Sequence, residues 1–363
     1  MIRFAFAGAI SRRNLGVRDG GWAHGSRSVS LLLGLVVTVA LPARAEDVKP
    51  LKLEASIPLP GFSGDFDHFA FDAQGGRVFL AGEDHKTVEV FDVKTNKRLK
   101  SIEGFGAPHA IFYLAESHHI LVTDGDKGVL RILSGEDYSE IGKVTGLAGA
   151  DSARLDAATQ TLYVVAGGKD VPLDYSFIVA IDLKKNTKAA ELRIESNHVE
   201  GIALESLGSR LFVNLTDKHA VSVIDRQNMK EIARWPIGSQ ADNSPMTYDE
   251  PHHRLLIVCR KPGLLLAMDS DSGKVVASLP GPERSDDMAF DPGTARIFVP
   301  GGDGHIFIYK QDSADKYELL ANVSSTAGAK TCLLLPALAR FYTAVSPGET
   351  KAAAKVLVYS VSP

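Results

Sequence analysis

Seven residues recur at one place in a repeated sentence: Asp67, His109, Asp151, Glu200, Ser244, Asp286 and Lys330. Neighbouring members lie 42, 42, 49, 44, 42 and 44 residues apart. The position that follows each adds His68, Ser152, Asp287 and Thr331, and Asn243 precedes Ser244. Carboxylate and amide oxygens suit hard cations such as Ca²⁺, and a histidine opens a site to transition metals. Carboxylates held close together raise one another's pKa, which suits proton transfer. A set this polar is a candidate ligand or metal site if the fold gathers it. A plainer reading stands beside that one, because Asp and Ser that begin strands also cap turns.

The elements that would gather them are legible. Each polar residue precedes an anchor that opens a strand: Arg77, His119, Thr161, Arg210, Arg254, Arg296 and Arg340. The five arginines recur too regularly for a unique site and are expected to pair with acids near each hairpin, such as Asp72 or Asp291. The runs after the anchors, "VFLA", "ILVT", "LYVV", "LFVN", "LLIV", "IFVP" and "FYTA", are dense in β-branched and aromatic residues, as strands are. A polar loop follows, then a second alternating run such as "TVEVFD" or "AVSVID". An Asp closes several of these runs (Asp92, Asp182, Asp225 and Asp269), where it can accept backbone N–H bonds and start a turn. A short strand before each anchor and another after the third run make four antiparallel strands per unit of about 42 residues. Seven such units predict an all-β, seven-bladed β-propeller. The seventh unit stops at Pro363 after three strands, so "LKLEASIPLPG" (Leu51–Gly61) is expected to supply its fourth. That pairing of the N- and C-terminal strands would close the ring and cover its sheet edges.

The "LYVV", "LFVN" and "LVTD" runs, followed by a loop and "VSVID", resemble the YVTN-type seven-bladed β-propeller repeat family. The resemblance spans residues 51–363 and no unit spells YVTN in full. It implies an exported propeller, and it implies no single chemistry.

In a propeller the innermost strands line a central channel, and the loops between second and third strands share their face. The ring of polar residues and the loops "GEDH", "DGD", "TDKH" and "GGDGH" therefore define one face. The insertion Gly167–Ser176 in the third unit adds a wall to it. Two functions follow. In the first, the acidic channel face binds a small molecule, a cation or a protein partner, with Asp67, His68, His109, Asp151, Glu200, Asn243, Asp286, Asp287 and Lys330 as binding candidates. In the second, the chain is a metal-dependent, lactonase-like hydrolase or lyase. A divalent cation such as Ca²⁺ on Glu200, Asp286 or Asp287, and Asn243 polarises a carbonyl, with Asp151 or His109 as base. No GxSxG elbow supports serine-hydrolase chemistry, and no CxxCH attaches a haem.

Other features bound the setting. Hydrophobic residues at 45% and charged residues at 23% exclude a disordered chain. "VSLLLGLVVTVAL" (Val29–Leu41) with "ARA" at Ala43–Ala45 reads as a signal peptide over residues 1–45, of Sec rather than Tat type. Residues 46–363 then form a single periplasmic or secreted domain with no membrane span, expected as a monomer; its cofactor is left open, with a divalent cation such as Ca²⁺ as the candidate. The leader carries six arginines and one acid, so its removal makes a chain of net charge −4 more acidic still. Nucleic acid is a disfavoured partner on that charge. The two cysteines, Cys259 and Cys332, fall in non-adjacent units and are expected as free, buried thiols.

Overall fold

The computed structural model describes residues 49–238, 241–348 and 353–363. The leader expected at residues 1–45 lies outside the described residues. Within them the chain forms seven four-stranded antiparallel sheets. Six are consecutive meanders: residues 69–102, 108–145, 153–194, 199–236, 241–280 and 289–324. The seventh takes three strands from residues 329–361 and its outer strand from Leu51–Pro58. That strand pairs antiparallel with Lys355–Val361, with Leu51 opposite Val361 and Pro58 opposite Lys355. Ring closure by the two ends of the chain is therefore the observed architecture. Among the described residues helix is confined to three 3₁₀ turns of three residues each.

Turn chemistry sets the strand lengths. Asp92 accepts the Thr95 N–H at 2.7 Å, Asp182 those of Lys184 and Lys185, Asp225 that of Gln227, and Asp269 that of Ser272. Four residues beyond each Asp the chain turns left-handed, at Asn96, Asn186, Met229 and Gly273. Asn and Gly tolerate that conformation readily, and the Asp side chain fixes the turn before it.

Seven apolar clusters fill the seams, one between each pair of neighbouring blades. Fully buried Phe79, Phe212, Phe298 and Phe341 each come from a second strand, which explains the aromatic after several anchors. The anchors themselves tie seams together. Arg77 bonds Asp72 of its own blade at 2.7 Å and reaches Gly135 O and the Tyr138 hydroxyl of the next. Arg210 holds Glu205 at home and Ser270 O and Asp271 across the seam. Arg254 likewise spans Asp269 and Asp315, and Arg340 reaches Val93 O. Arg296 departs from the expectation that it pairs with Asp291. Asp291 is taken by the Gly293 N–H and the Thr294 hydroxyl, and Arg296 donates to Ser362 O of the next blade at 2.5 Å. The seam between the third and fourth blades, whose anchor is Thr161, is tied in reverse. There Arg226 reaches back to Asp156 at 2.6 Å.

Candidate functional site

The ring residues converge because the inner strands are irregular where they carry them. In four blades the register shifts across the position: between Pro108 and Ile111, Val199 and Ile202, Asn243 and Met246, and Ala329 and Thr331. Such bulges bend a strand and re-aim its side chains. In the other three blades the regular strand starts later, at Phe69, Ala153 and Ala289, so Asp67, Asp151 and Asp286 sit on its lead-in. Gly201 allows the bulge of the fourth blade, since a Cβ there would lie 2.3 Å from Ser244 O.

The result is one channel of about 600 Å³. Its mouth carries Asp65, Asp67, His68, Glu83, His109, Asp151, Lys169, Glu200, Arg260, Asp286, Asp287 and Lys330, which fall into two arcs. In the first, His109 Nδ1 lies 2.7 Å from Asp67 Oδ2 and 3.7 Å from Asp151 Oδ1. His68 lies between Asp67 at 3.4 Å and Asp287 at 3.5 Å. In the second, Lys330 Nζ joins Asp65 at 2.9 Å to Asp286 at 2.5 Å. Arg260 bonds the other Asp286 oxygen and lies 3.6 Å from Glu200. Glu200 Oε1 also meets His198 Nε2 at 2.6 Å and Lys169 Nζ at 3.2 Å.

Proton affinities follow this division. Burial alone would raise Asp67, but His68, the His109 bond and Lys330 hold it well below the usual carboxylate range. Burial opposes protonation of His109, yet Asp67 and Asp151 push it up to about 10. His68 is raised in the same way, against burial, by Asp67 and Asp287. In the second arc burial again opposes ionisation of Glu200, and His198, Arg260 and Lys169 overcome it and lower its pKa. Two carboxyls lack enough positive charge. Burial, with Asp67 and Asp151 near, raises Glu83 to about 7. Burial, with Glu200 and Asp67 against the pull of His109, raises Asp151 to about 7.

Most predicted site residues thus meet: Asp67, His68, His109, Asp151, Glu200, Asp286, Asp287 and Lys330 all line the channel. Asn243 does not. Its amide is buried, donating to Asn214 Oδ1 at 2.8 Å and Ala220 O at 3.1 Å between blades. The metal set of Glu200, Asp286 or Asp287, and Asn243 is accordingly not assembled, since Arg260 also occupies the space between Glu200 and Asp286. The donors that do cluster are Asp67, His109 and Asp151, with one ligand atom each within 4.8 Å of the others. Gly125 leaves room there, for a Cβ would stand 3.1 Å from His109 Nε2.

The mouth is also less purely acidic than the ring of sequence positions implied. Lys169 comes from the insertion in the third blade, and Arg260 from the end of a second strand (Arg254–Lys261) that runs longer than its counterparts. Glu83 and Arg260 each lie six residues past their anchors, Glu83 on the loop to the third strand and Arg260 near the end of its second strand. Glycines hold the same place in three other blades, at Gly125, Gly167 and Gly302. Counting from the anchors in this second register identifies both.

Fold and site together define a seven-bladed β-propeller with a charged channel mouth. No family model matches the chain, and no curated protein matches its sequence. Among solved structures it is similar to a chain of the mitotic checkpoint complex, with a TM-score of 0.70 at 15% identity over 92% of this chain and 99% of that one. It is also similar to a chain of the Kuenenia stuttgartiensis hydrazine synthase, with a TM-score of 0.69 at 15% identity over 84% and 99%. At that identity the likeness is one of fold.

Proposed function

We propose that this chain is an exported propeller of the YVTN-type group that binds a small polar ligand at the mouth of its central channel. The observation that carries the reading is the channel itself. About 600 Å³ is a small-molecule volume, and it is bordered by carboxylates and bases whose positions are fixed by mutual ion pairs. Preorganised charges of this kind orient a ligand at little entropic cost. The reading includes a leader processed after Ala45 and a periplasmic or secreted, monomeric product.

The test is recovery of the protein from its native host. N-terminal sequencing should begin at Glu46, and native mass spectrometry should show a co-purifying small molecule or ion. The double variant Asp67→Asn/Glu200→Gln should lose that adduct and keep its fold. An adduct unaffected by the double variant would place the ligand elsewhere and sink the reading.

A second reading is metal-assisted hydrolysis, favoured by the Asp67–His109–Asp151 cluster. Two carboxylates and an imidazole fit a divalent cation, and the excess negative charge shared by Asp151 and Glu83 would be relieved by one. A bound cation polarises a carbonyl or bound water. Stoichiometric metal, together with chelator-sensitive turnover of a lactone and ester panel, would establish it. Metal without turnover would leave a binding protein.

A further inference from the structure

Below the charged mouth the channel changes character. Three residues past His109, Asp151 and Lys330 on the inner strands stand Phe112, Arg154 and Leu333, with Phe290 three past Asp287. At the rise of an extended strand this layer is about 10 Å deeper. Phe112, Phe290 and Leu333 are half-buried and show part of their surface to the channel. Arg154 is exposed to the same space, opposite Tyr163 in the sheet and flanked on its strand by Ala153 and Leu155.

Arg154 differs from the cations above it. Lys169, Arg260, Lys330, His68 and His109 each hold a carboxylate. Arg154 has no ion pair or hydrogen bond among the described residues. Enclosure lowers its pKa, with only Asp287 opposing. Asp287 is itself engaged by His68 at 3.5 Å and by the Met288 N–H at 2.8 Å. A guanidinium presents five donors in a planar fork that matches carboxylate or phosphate oxygens two at a time. An exposed guanidinium without a partner adds no ion pair to the fold, whereas an arginine kept as a structural counterion would be expected to bond an acid. Asp67, Glu200, Asp286 and Asp287 at the mouth are already held by those other cations.

We propose that the channel seats the anionic group of an amphipathic small molecule, a carboxylate or a phosphate, on Arg154, with its apolar part against Phe112, Phe290 and Leu333. This assignment rests on the small-ligand reading above and names the class of ligand. The mouth would then meet the polar end of that molecule while Arg154 holds the other.

The test compares wild type with Arg154→Met and Arg154→Lys, using 3-phenylpropionate, phenyl phosphate and the neutral 3-phenylpropanol as probes in calorimetry and thermal melts. Wild type should bind at least one anion, at least tenfold more tightly than the alcohol. The preferred anion separates a carboxylate site from a phosphate site. Arg154→Met should weaken that anion at least tenfold, with an unliganded melting temperature equal to or above that of wild type. Arg154→Lys should keep part of the affinity. A melting temperature lowered by Arg154→Met would mark a structural counterion and overturn the assignment. So would anion binding equal in wild type and Arg154→Met, although the channel reading would survive that result. If wild type ignores both anions but holds the alcohol or a metal, the anion assignment falls alone; if it takes up none of them, both readings fall.

Discussion

His109 and Asp67 stand one repeat apart in the chain and 2.7 Å apart in space, Nδ1 to Oδ2, as neighbours around the channel mouth. The pair has a pH signature. His109 is raised from 6.5 to about 10, so its stabilisation is complete below about pH 6.5 and fades as pH rises through 10. Asp67 is lowered, so its contribution is present above the ordinary aspartate range and lost as pH falls below it. His109→Gln should therefore cost most near pH 5 to 6, about 2 kcal/mol for a charge-assisted bond, and least near pH 10. Melting temperatures of both proteins across that range check this, and a cost independent of pH would contradict the ion pair.

Glu83 should behave in the opposite sense. Its raised pKa means that the folded state resists its ionisation, a penalty absent near pH 4 that grows until about pH 7. In metal-free protein Glu83→Gln should raise the melting temperature at pH 8 and leave it unchanged at pH 4. An unchanged melting temperature at pH 8 would show that some other group already neutralises Glu83.

If a divalent cation binds at the mouth, Asp151 and Asp286 should differ although both belong to the same ring. Asp151→Asn removes a donor of the clustered three and should weaken Mn²⁺ or Ca²⁺ at least tenfold in calorimetry. Asp286 is occupied by Arg260 and Lys330, and Asp286→Asn should leave metal affinity nearly unchanged. Equal losses would argue for a diffuse acidic mouth with no defined metal site.

Arg226 closes a seam in the way that anchor arginines close five others. Its bonds to Asp156 and Glu205 O are part-buried and that to Gly208 O is exposed, and Arg226→Met removes the cation that faces Asp156 Oδ2. A loss of about 3 kcal/mol is expected from chemical denaturation. Lys185→Met offers a comparison, since its ion pair with Asp182 lies within one blade on an exposed lysine and should cost under about 1 kcal/mol.

Deleting residues 49–58 should leave Lys355–Val361 as a bare edge. The expected outcome is concentration-dependent association in sedimentation with the far-ultraviolet β signal retained, because six blades keep all four strands.

The fold was legible because a repeat states its pattern seven times. A degenerate unit such as "HILVTD" is read by its place between clearer ones. The ring was legible for the same reason, through one count from each anchor. Asn243 shows the limit of counting. It adjoins a ring residue in sequence, but successive side chains on a strand point to opposite faces, and the Asn243 amide is held between blades while Ser244 lines the channel. Lys169 and Arg260 were missed as site residues because they enter from an insertion and an overlong strand, where the repeat breaks. Asp291 was misassigned because a turn aspartate near an arginine satisfies its own backbone first.

The pairing of Leu51 with Val361 places the longest loop of the molecule in a single blade. Closing a loop costs entropy that grows with the logarithm of its length, and every other blade closes over a few tens of residues. Six blades can therefore form as each segment becomes available, while the seventh waits for both ends at once. The ring behaves as a clasped bracelet: its links assemble locally, and the clasp is the slow step in folding and the first place to part under load.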